Sequence, residues 1–296
     1  MSVRGASVKL ATLLMCSLLV AGCASPRGAV GQSELAVEKL ALLPAAVSET
    51  SGLAWHQGAL WTHNDSGDSA LIYRLAPGTG EVEQTVRLQD AVNFDWEEMA
   101  ASAGELFVFD CGNNLGRRGW MQVYAVDRSR LASSAVEVPS RLLEFRFADA
   151  GPSEGAYAHD NDCEAATLVN GRLWIFSKNW NNQQTRLYRL NPQGASRQSL
   201  RSEGSFPVAG LITSADYDAT TGMLVLLGYT KGRFSSEAFI WLVPVQRDTP
   251  VWSSARRHSL APAGQWEAVA WRHGELWLTR ESSLLGQAWL GRVILP

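Results

Sequence analysis

Asp95-Trp96-Glu97-Glu98-Met99-Ala100 is one of five related stretches in this chain. The others are Glu49-Thr50-Ser51-Gly52-Leu53-Ala54, Asp162-Cys163-Glu164-Ala165-Ala166-Thr167, Ile212-Thr213-Ser214-Ala215-Asp216-Tyr217 and Gln265-Trp266-Glu267-Ala268-Val269-Ala270. Each is followed by a short turn containing Gly and then an apolar run: Leu60-Trp61, Leu106-Phe107-Val108-Phe109, Leu173-Trp174-Ile175-Phe176, Leu224-Val225-Leu226-Leu227 and Leu276-Trp277-Leu278. In four copies the third residue precedes the opening Leu by the same distance (51 to 60, 97 to 106, 164 to 173, 267 to 276). The remaining copy aligns with one extra residue (214 to 224), absorbed by its longer turn at 218–222. Self-similarity at a period of roughly fifty residues is the mark of a repeat architecture.

Turn signals divide each repeat into four short strands. In the first, the strands are expected at 52–55, 59–63, 71–75 and 81–88, the last with clear alternation of apolar and polar residues. No stretch carries a long helical period. Four strands per repeat predict the blade of a β-propeller. The long interval between positions 97 and 164 holds one strand at 141–147 and a polar loop at 149–161, too little for a further blade. The expectation is therefore an all-β, five-bladed propeller over residues 35–296, with a six-bladed ring containing one degenerate blade as the alternative. The last repeat lacks its fourth strand, and the early apolar stretch 37–43 is expected to supply it and close the ring without a free edge.

Residues 1–22 read as a signal segment. Arg4 and Lys9 precede an apolar core at 10–20 that is too short to span a bilayer. Val20-Ala21-Gly22-Cys23 resembles a lipobox, which makes Cys23 the lipidated first residue of the mature chain and 23–34 a polar linker. Ala24 and Ser25 lack the Asp that favours inner-membrane retention, so the expected address is the periplasmic side of the outer membrane. An ordinary secretory signal is the alternative. Loss of residues 1–22 removes two of the 26 basic residues and none of the 29 acidic ones, leaving a formal charge of −5. With no basic patch, nucleic acid is not an expected partner. Cys111 and Cys163 remain as an even pair in an oxidising compartment, and so form a disulfide candidate.

In a propeller the first strand of each blade lies nearest the axis, so the repeated motif delivers its third residue to the channel mouth. That column reads Ser51, Glu97, Glu164, Ser214 and Glu267. Three clustered carboxylates raise one another's pKa or recruit a cation. Oxygen-only ligands suit Ca²⁺ better than the tighter octahedron of Mg²⁺. Glu49, Asp95, Asp162, His63, Asp110, Lys178 and Arg280 flank the same strands and extend the mouth into a polar funnel. For such flanking residues, turn capping is the competing explanation. Glu98, one step off the column, is expected to face a neighbouring blade.

In order, these five motifs resemble those of the SdiA-regulated family of bacterial propellers, over roughly residues 36–295. The resemblance implies a five-bladed ring with Ca²⁺ near the axis, held at the positions of Glu97, Glu164 and Glu267, with Ser51 and Ser214 as further matches. The family's Gly after Glu is Ala165 and Ala268 here. A more distant similarity is to phytase-like and lactonase-type propellers. Two functions follow as expectations. One is a membrane-anchored binding or scaffold module for a small-molecule or protein ligand. The other is a Ca²⁺-dependent hydrolase of phosphoesters, esters or lactones. Changing Cys23 to Ser is expected to move the protein from the membrane fraction to the soluble periplasm; a wild-type protein already soluble there would refute the lipobox reading.

Overall fold

Each of the five apolar runs lies in the second strand of a meander, and the meanders form the blades of a five-bladed β-propeller. The structure is a computed structural model that describes residues 33–295 apart from 133, 233–235 and 285. The expected signal segment, the lipidation site Cys23 and most of the linker lie outside the described residues. Among the described residues no helix is long and apolar enough to cross a membrane.

Blade 1 runs Thr50–His56, Ala59–Asn64, Leu71–Leu75 and Val82–Gln89 from the axis outward. Blade 2 runs Trp96–Ala101, Glu105–Asp110, Met121–Asp127 and Arg141–Phe147. Blade 3 runs Asp162–Val169, Arg172–Lys178, Thr185–Leu190 and Ser205–Phe206. Blade 4 runs Leu211–Asp218, Met223–Tyr229, Ala238–Gln246 and Arg256–Ala261. Blade 5 has Trp266–Arg272, Glu275–Arg280 and Trp289–Ile294, and takes Glu38–Leu42 from the start of the chain as its antiparallel fourth strand. The expected closure by the early strand is thus the observed one.

Burial explains the sequence patterns. The innermost strands are covered on both faces by neighbouring blades, so Trp96–Ala101 and Asp162–Val169 are buried almost throughout and show no alternation. Val82–Gln89 lies further out, and its residues alternate between buried and exposed. There is one apolar cluster for each blade interface. Phe107, Phe109 and Phe145 meet Leu173, Ile175 and Tyr188 between blades 2 and 3. Leu53, Leu60 and Leu75 meet Ala268, Ala270 and Leu290 where blade 1 meets blade 5. Burying an aliphatic or aromatic side chain of this kind contributes about 1.5–3 kcal/mol each.

Three short strands are not legible in the sequence. Glu137–Pro139 joins blade 1, Arg197–Leu200 joins blade 2 and Glu34–Ala36 joins blade 4, each parallel to the outer strand. They span three or four residues, too few to show a period. The first of them, with the loop before blade 3, accounts for the long 97-to-164 interval.

Cys111 follows the second strand of blade 2, Cys163 lies in the first strand of blade 3, and the two are joined in a disulfide with Cα atoms 5.4 Å apart. The bridge spans a sequence separation of 52 residues. The double variant Cys111→Ser/Cys163→Ser is expected to lose about 2–4 kcal/mol of stability in urea unfolding; an unchanged midpoint would show that the bridge adds nothing to the interface.

Candidate functional site

Every innermost strand slips register against its partner at the repeated motif. The residues skipped by the ladder are Glu97, Glu164, Thr213 and Glu267, with Ser51 and Gly52 in blade 1. Such a β-bulge leaves a residue unpaired and re-aims its side chain. The sequence motif is therefore a bulge, and its column is Ser51, Glu97, Glu164, Thr213 and Glu267. Thr213 takes the place expected for Ser214. Six residues (218–223) lie between Tyr217 and its partner's end of the hairpin at Leu224, whereas four (169–172) separate Leu168 from Leu173. The turn of blade 4 is longer by two residues, not one, and the alignment shifts accordingly.

The strand pairing defines a second column across each hairpin. Residues just before the bulges pair with Asn64, Asp110, Ser177, Gly228 and Arg280. The residues that follow are Asp65, Cys111, Lys178, Tyr229 and Glu281. The two columns meet around a cavity of 180 Å³. Ser51, Glu97, Glu164 and Glu267 line it from the first column, and Asp65, Lys178, Tyr229 and Glu281 from the second. Asn114, Tyr157, Trp180 and Gln265 complete the wall. Of the second column, sequence reasoning misses Tyr229, the uncharged last residue of its strand; Asp65 and Glu281 are legible as acids directly after second strands.

Lys178 divides the acids. Its Nζ lies 3.0 Å from Glu164 Oε1, with both residues buried. It also lies 4.9 Å from the Trp180 ring centroid and 5.4 Å from that of Tyr229. Burial opposes the ammonium, but Glu164, Tyr229, Glu267 and Asp162 outweigh it and hold Lys178 well above its usual range. Glu164 thus faces an internal cation, which changes the expected Glu97–Glu164–Glu267 ligand set. The described carboxylates that do come together are Asp65, Asp95 and Glu97, with oxygens within 4.8 Å of one another. Gly112 makes this approach possible, since a Cβ there would overlap both Glu97 Oε1 and Asp95 Oδ2. Glu97 is 4% exposed, and no described N–H or O–H bonds to its carboxylate.

This crowding shows in the acidities. Burial, then Glu164, Asp65 and Asp95, push Glu97 well above the usual carboxylate range. Burial raises Asp95 to about 7, helped by Asp65 and Asp162. Burial lifts Glu267 to about 7 against the pull of Lys178. Burial, Glu267 and Asp65 lift Glu281 to about 9.

The residue after each first-column position forms a deeper ring: Gly52, Glu98, Ala165, Ser214 and Ala268. Four are small, and Glu98 of blade 2 reaches across the axis to blade 4. Its Oε2 accepts from Ser214 Oγ at 2.5 Å and Ala215 N at 3.0 Å, and its Oε1 accepts from Met99 N at 2.9 Å. Ser214 Oγ in turn accepts from Val269 N of blade 5 at 3.0 Å. Glu98 therefore ties three blades together instead of facing one neighbour, and Ser214 belongs to this tie, not to the mouth.

The remaining flanking residues serve the frame. Asp162 accepts from Asn113 N at 2.6 Å and Trp180 Nε1 at 2.7 Å, and so orients the aromatic wall. Asp110 pairs with Arg118 at 2.7 Å and accepts from Asp95 N at 3.2 Å. His63 is buried edge-on against Trp96, its pKa lowered to about 4 by burial, and its Nδ1 sits 2.9 Å from Asn64 O. Glu49 lines a separate cleft with Asn64, Asp68 and Tyr73. Arg280 stacks on Trp289 at 5.3 Å and is outside the cavity wall.

No family model matches the sequence, and no curated protein matches it. Among solved structures, a hypothetical protein from Leishmania major is similar in fold, with a TM-score of 0.50 and 12% identity over 88% of this chain and 91% of that one. The WD40 repeats of RRP9 align with a TM-score of 0.45 and 10% identity over 88% of this chain and all of theirs (100%). At such identities the likeness is one of fold alone.

Glu98→Ala is expected to destabilise the protein by about 3 kcal/mol in urea unfolding, because it strands Ser214 Oγ and the Ala215 and Met99 amides in a buried ring. A loss below about 1 kcal/mol, the net worth of one ordinary hydrogen bond, would show that the tie is dispensable.

Proposed function

We propose that this chain is a periplasmic binding propeller, anchored to the outer membrane through lipid on Cys23, whose axial mouth works around a divalent cation. Asp65, Asp95 and Glu97 would hold that cation, with Ca²⁺ the first choice. The observation that carries this reading is the convergence of the carboxylates of Asp65, Asp95 and Glu97 to within 4.8 Å of one another, with Glu97 buried and no described N–H or O–H bonded to it. Oxygen donors of this kind suit Ca²⁺, which accepts carboxylates, carbonyls and waters in irregular number. The resemblance of the motifs to SdiA-regulated propellers supports the same choice. The lipobox supports the address.

The cavity also constrains the ligand. Asp65, Glu97, Glu164, Glu267 and Glu281 line it against one lysine, Lys178. Like charges repel strongly in a site this desolvated. Even one divalent ion leaves an ionised mouth net negative, so phosphoesters fit poorly. The hydrolase alternative is left with neutral esters and lactones.

Chelation and pH test the reading together. Asp95, Glu267 and Glu281 have folded pKa values raised above their unfolded ones. Their contribution to stability is full below the unfolded values near 4 and is lost as pH rises through about 7 and about 9. The melting temperature of EDTA-treated protein is therefore expected to fall between about pH 5 and pH 9. Ca²⁺ at a hundredfold excess over its Kd adds about 2.7 kcal/mol and flattens that slope. Asp95→Asn should abolish most of the Ca²⁺ response, and Glu164→Gln should leave most of it. A melting curve indifferent to Ca²⁺ at every pH would sink the metal reading.

A further inference from the structure

We infer that Lys178 is a built-in cation: its ammonium occupies a second cation position of the axial cavity, on Glu164, and thereby limits the mouth to a single metal ion. The inference rests on the reading of the axial mouth as a cation site, and it leaves Asp65, Asp95 and Glu97 to the metal.

Three observations lead there. First, the ammonium sits where an ion would. Lys178 Nζ lies 3.0 Å from Glu164 Oε1, and the two side chains are 7% and 4% exposed. No other described N–H or O–H bonds to the Glu164 carboxylate. This one contact therefore balances a charge that would otherwise be buried and unpaired, a costly arrangement. Tyr229, Glu267 and Asp162 act on the same ammonium and, with Glu164, keep it charged against its burial. Second, the residue breaks the pattern of its column. Lys178 holds the second-column position of blade 3, where blade 1 has Asp65 and blade 5 has Glu281. A cation stands where the other charged members of the column are acids. Third, the ammonium is part of a fixed wall. The rings of Trp180 and Tyr229 flank it at 4.9 and 5.4 Å. Trp180 is itself held by Asp162, which accepts from its Nε1 at 2.7 Å. Aromatic faces of this kind attract a cation further.

The consequence is one of competition. A mobile ion held by Asp65, Asp95 and Glu97 shares no ligand with Lys178. An ion approaching Glu164 must displace the ammonium or bind beside it, and like charges in a desolvated site repel strongly. A tethered cation also has a high effective concentration at its own partner and cannot be washed out. Glu164 thus stays occupied whatever the metal concentration. A neutral side chain of similar length at position 178 would open that place to a second ion.

Calorimetric titration of the full chain with CaCl₂, and paramagnetic resonance with MnCl₂ as a second readout, test the stoichiometry. The wild type is expected to bind about one ion and Lys178→Met about two, both positions being built from oxygen ligands. In the variant, neighbouring Mn²⁺ ions should broaden each other's resonance. Lys178→Arg keeps the charge and should stay at one ion. Lys178→Met combined with Glu164→Gln removes both charges and should return to one. If Lys178→Met does not fold in EDTA, it is refolded in Ca²⁺: recovery supports the inference and failure overturns it. Two ions in the wild type, or one ion in both proteins, would overturn the inference and leave the metal reading standing. No ion in the wild type but one in Lys178→Met would keep Lys178 as the resident cation and sink the metal reading at Asp65, Asp95 and Glu97. No ion in either protein would sink both.

Discussion

In a regular strand, neighbouring side chains point to opposite faces, so only alternate residues can serve one surface. The bulge in each innermost strand suspends that rule at one place in every blade. It is why Glu97 can line the mouth while Glu98, the very next residue, spans the channel beneath it. Both layers, the acidic ring above and the Glu98 tie below, depend on five bulges falling at the same height. The outer strands could tolerate a slipped register more easily. At the axis a one-residue slip would exchange the two rings and drive Glu164 and Glu267 into space now filled by Ala165 and Ala268.

The lower ring is held by hydrogen bonds that cross the ring of blades. A carboxylate buried this deeply is costly unless its acceptors are satisfied. Glu98 meets that demand with one hydroxyl and two backbone amides, and burial still leaves its pKa well above normal. The upper ring is not satisfied in this way. Its acids share Lys178 and have few other donors, so their protons or an added cation must complete the balance. The contrast separates two kinds of buried acid within one residue of each other, one structural and one left open for chemistry.

Much of this architecture is legible in the amino-acid sequence. The five motifs, the meander of four strands, the borrowed closing strand and the Cys111–Cys163 pair all follow from spacing and composition. Spacing misplaces Ser214 because a hairpin of unknown length hides inside the count, and only the pairing of Tyr217 with Leu224 reveals it. The second column is harder still. Asp65, Cys111, Lys178, Tyr229 and Glu281 are brought together by cross-strand pairing alone, and nothing in their residue types announces a shared position. Lys178 reads from its place in the chain as one flanking residue among several, and only the fold makes it the counterion of Glu164. That pairing is what moves the candidate metal group from Glu164 and Glu267 toward Asp65 and Asp95.

The disulfide fits the same geometry. Cys111 occupies the second column, where other blades place groups that line the cavity, and Cys163 directly precedes the bulged Glu164. Gly112, which admits the carboxylates of Asp95 and Glu97, directly follows Cys111. The covalent link therefore runs through the two backbone segments that set the position of the acids on blades 2 and 3. Both cysteines are fully buried members of the apolar cluster between blades 2 and 3, so covalent and apolar contacts hold the same interface directly behind the acids.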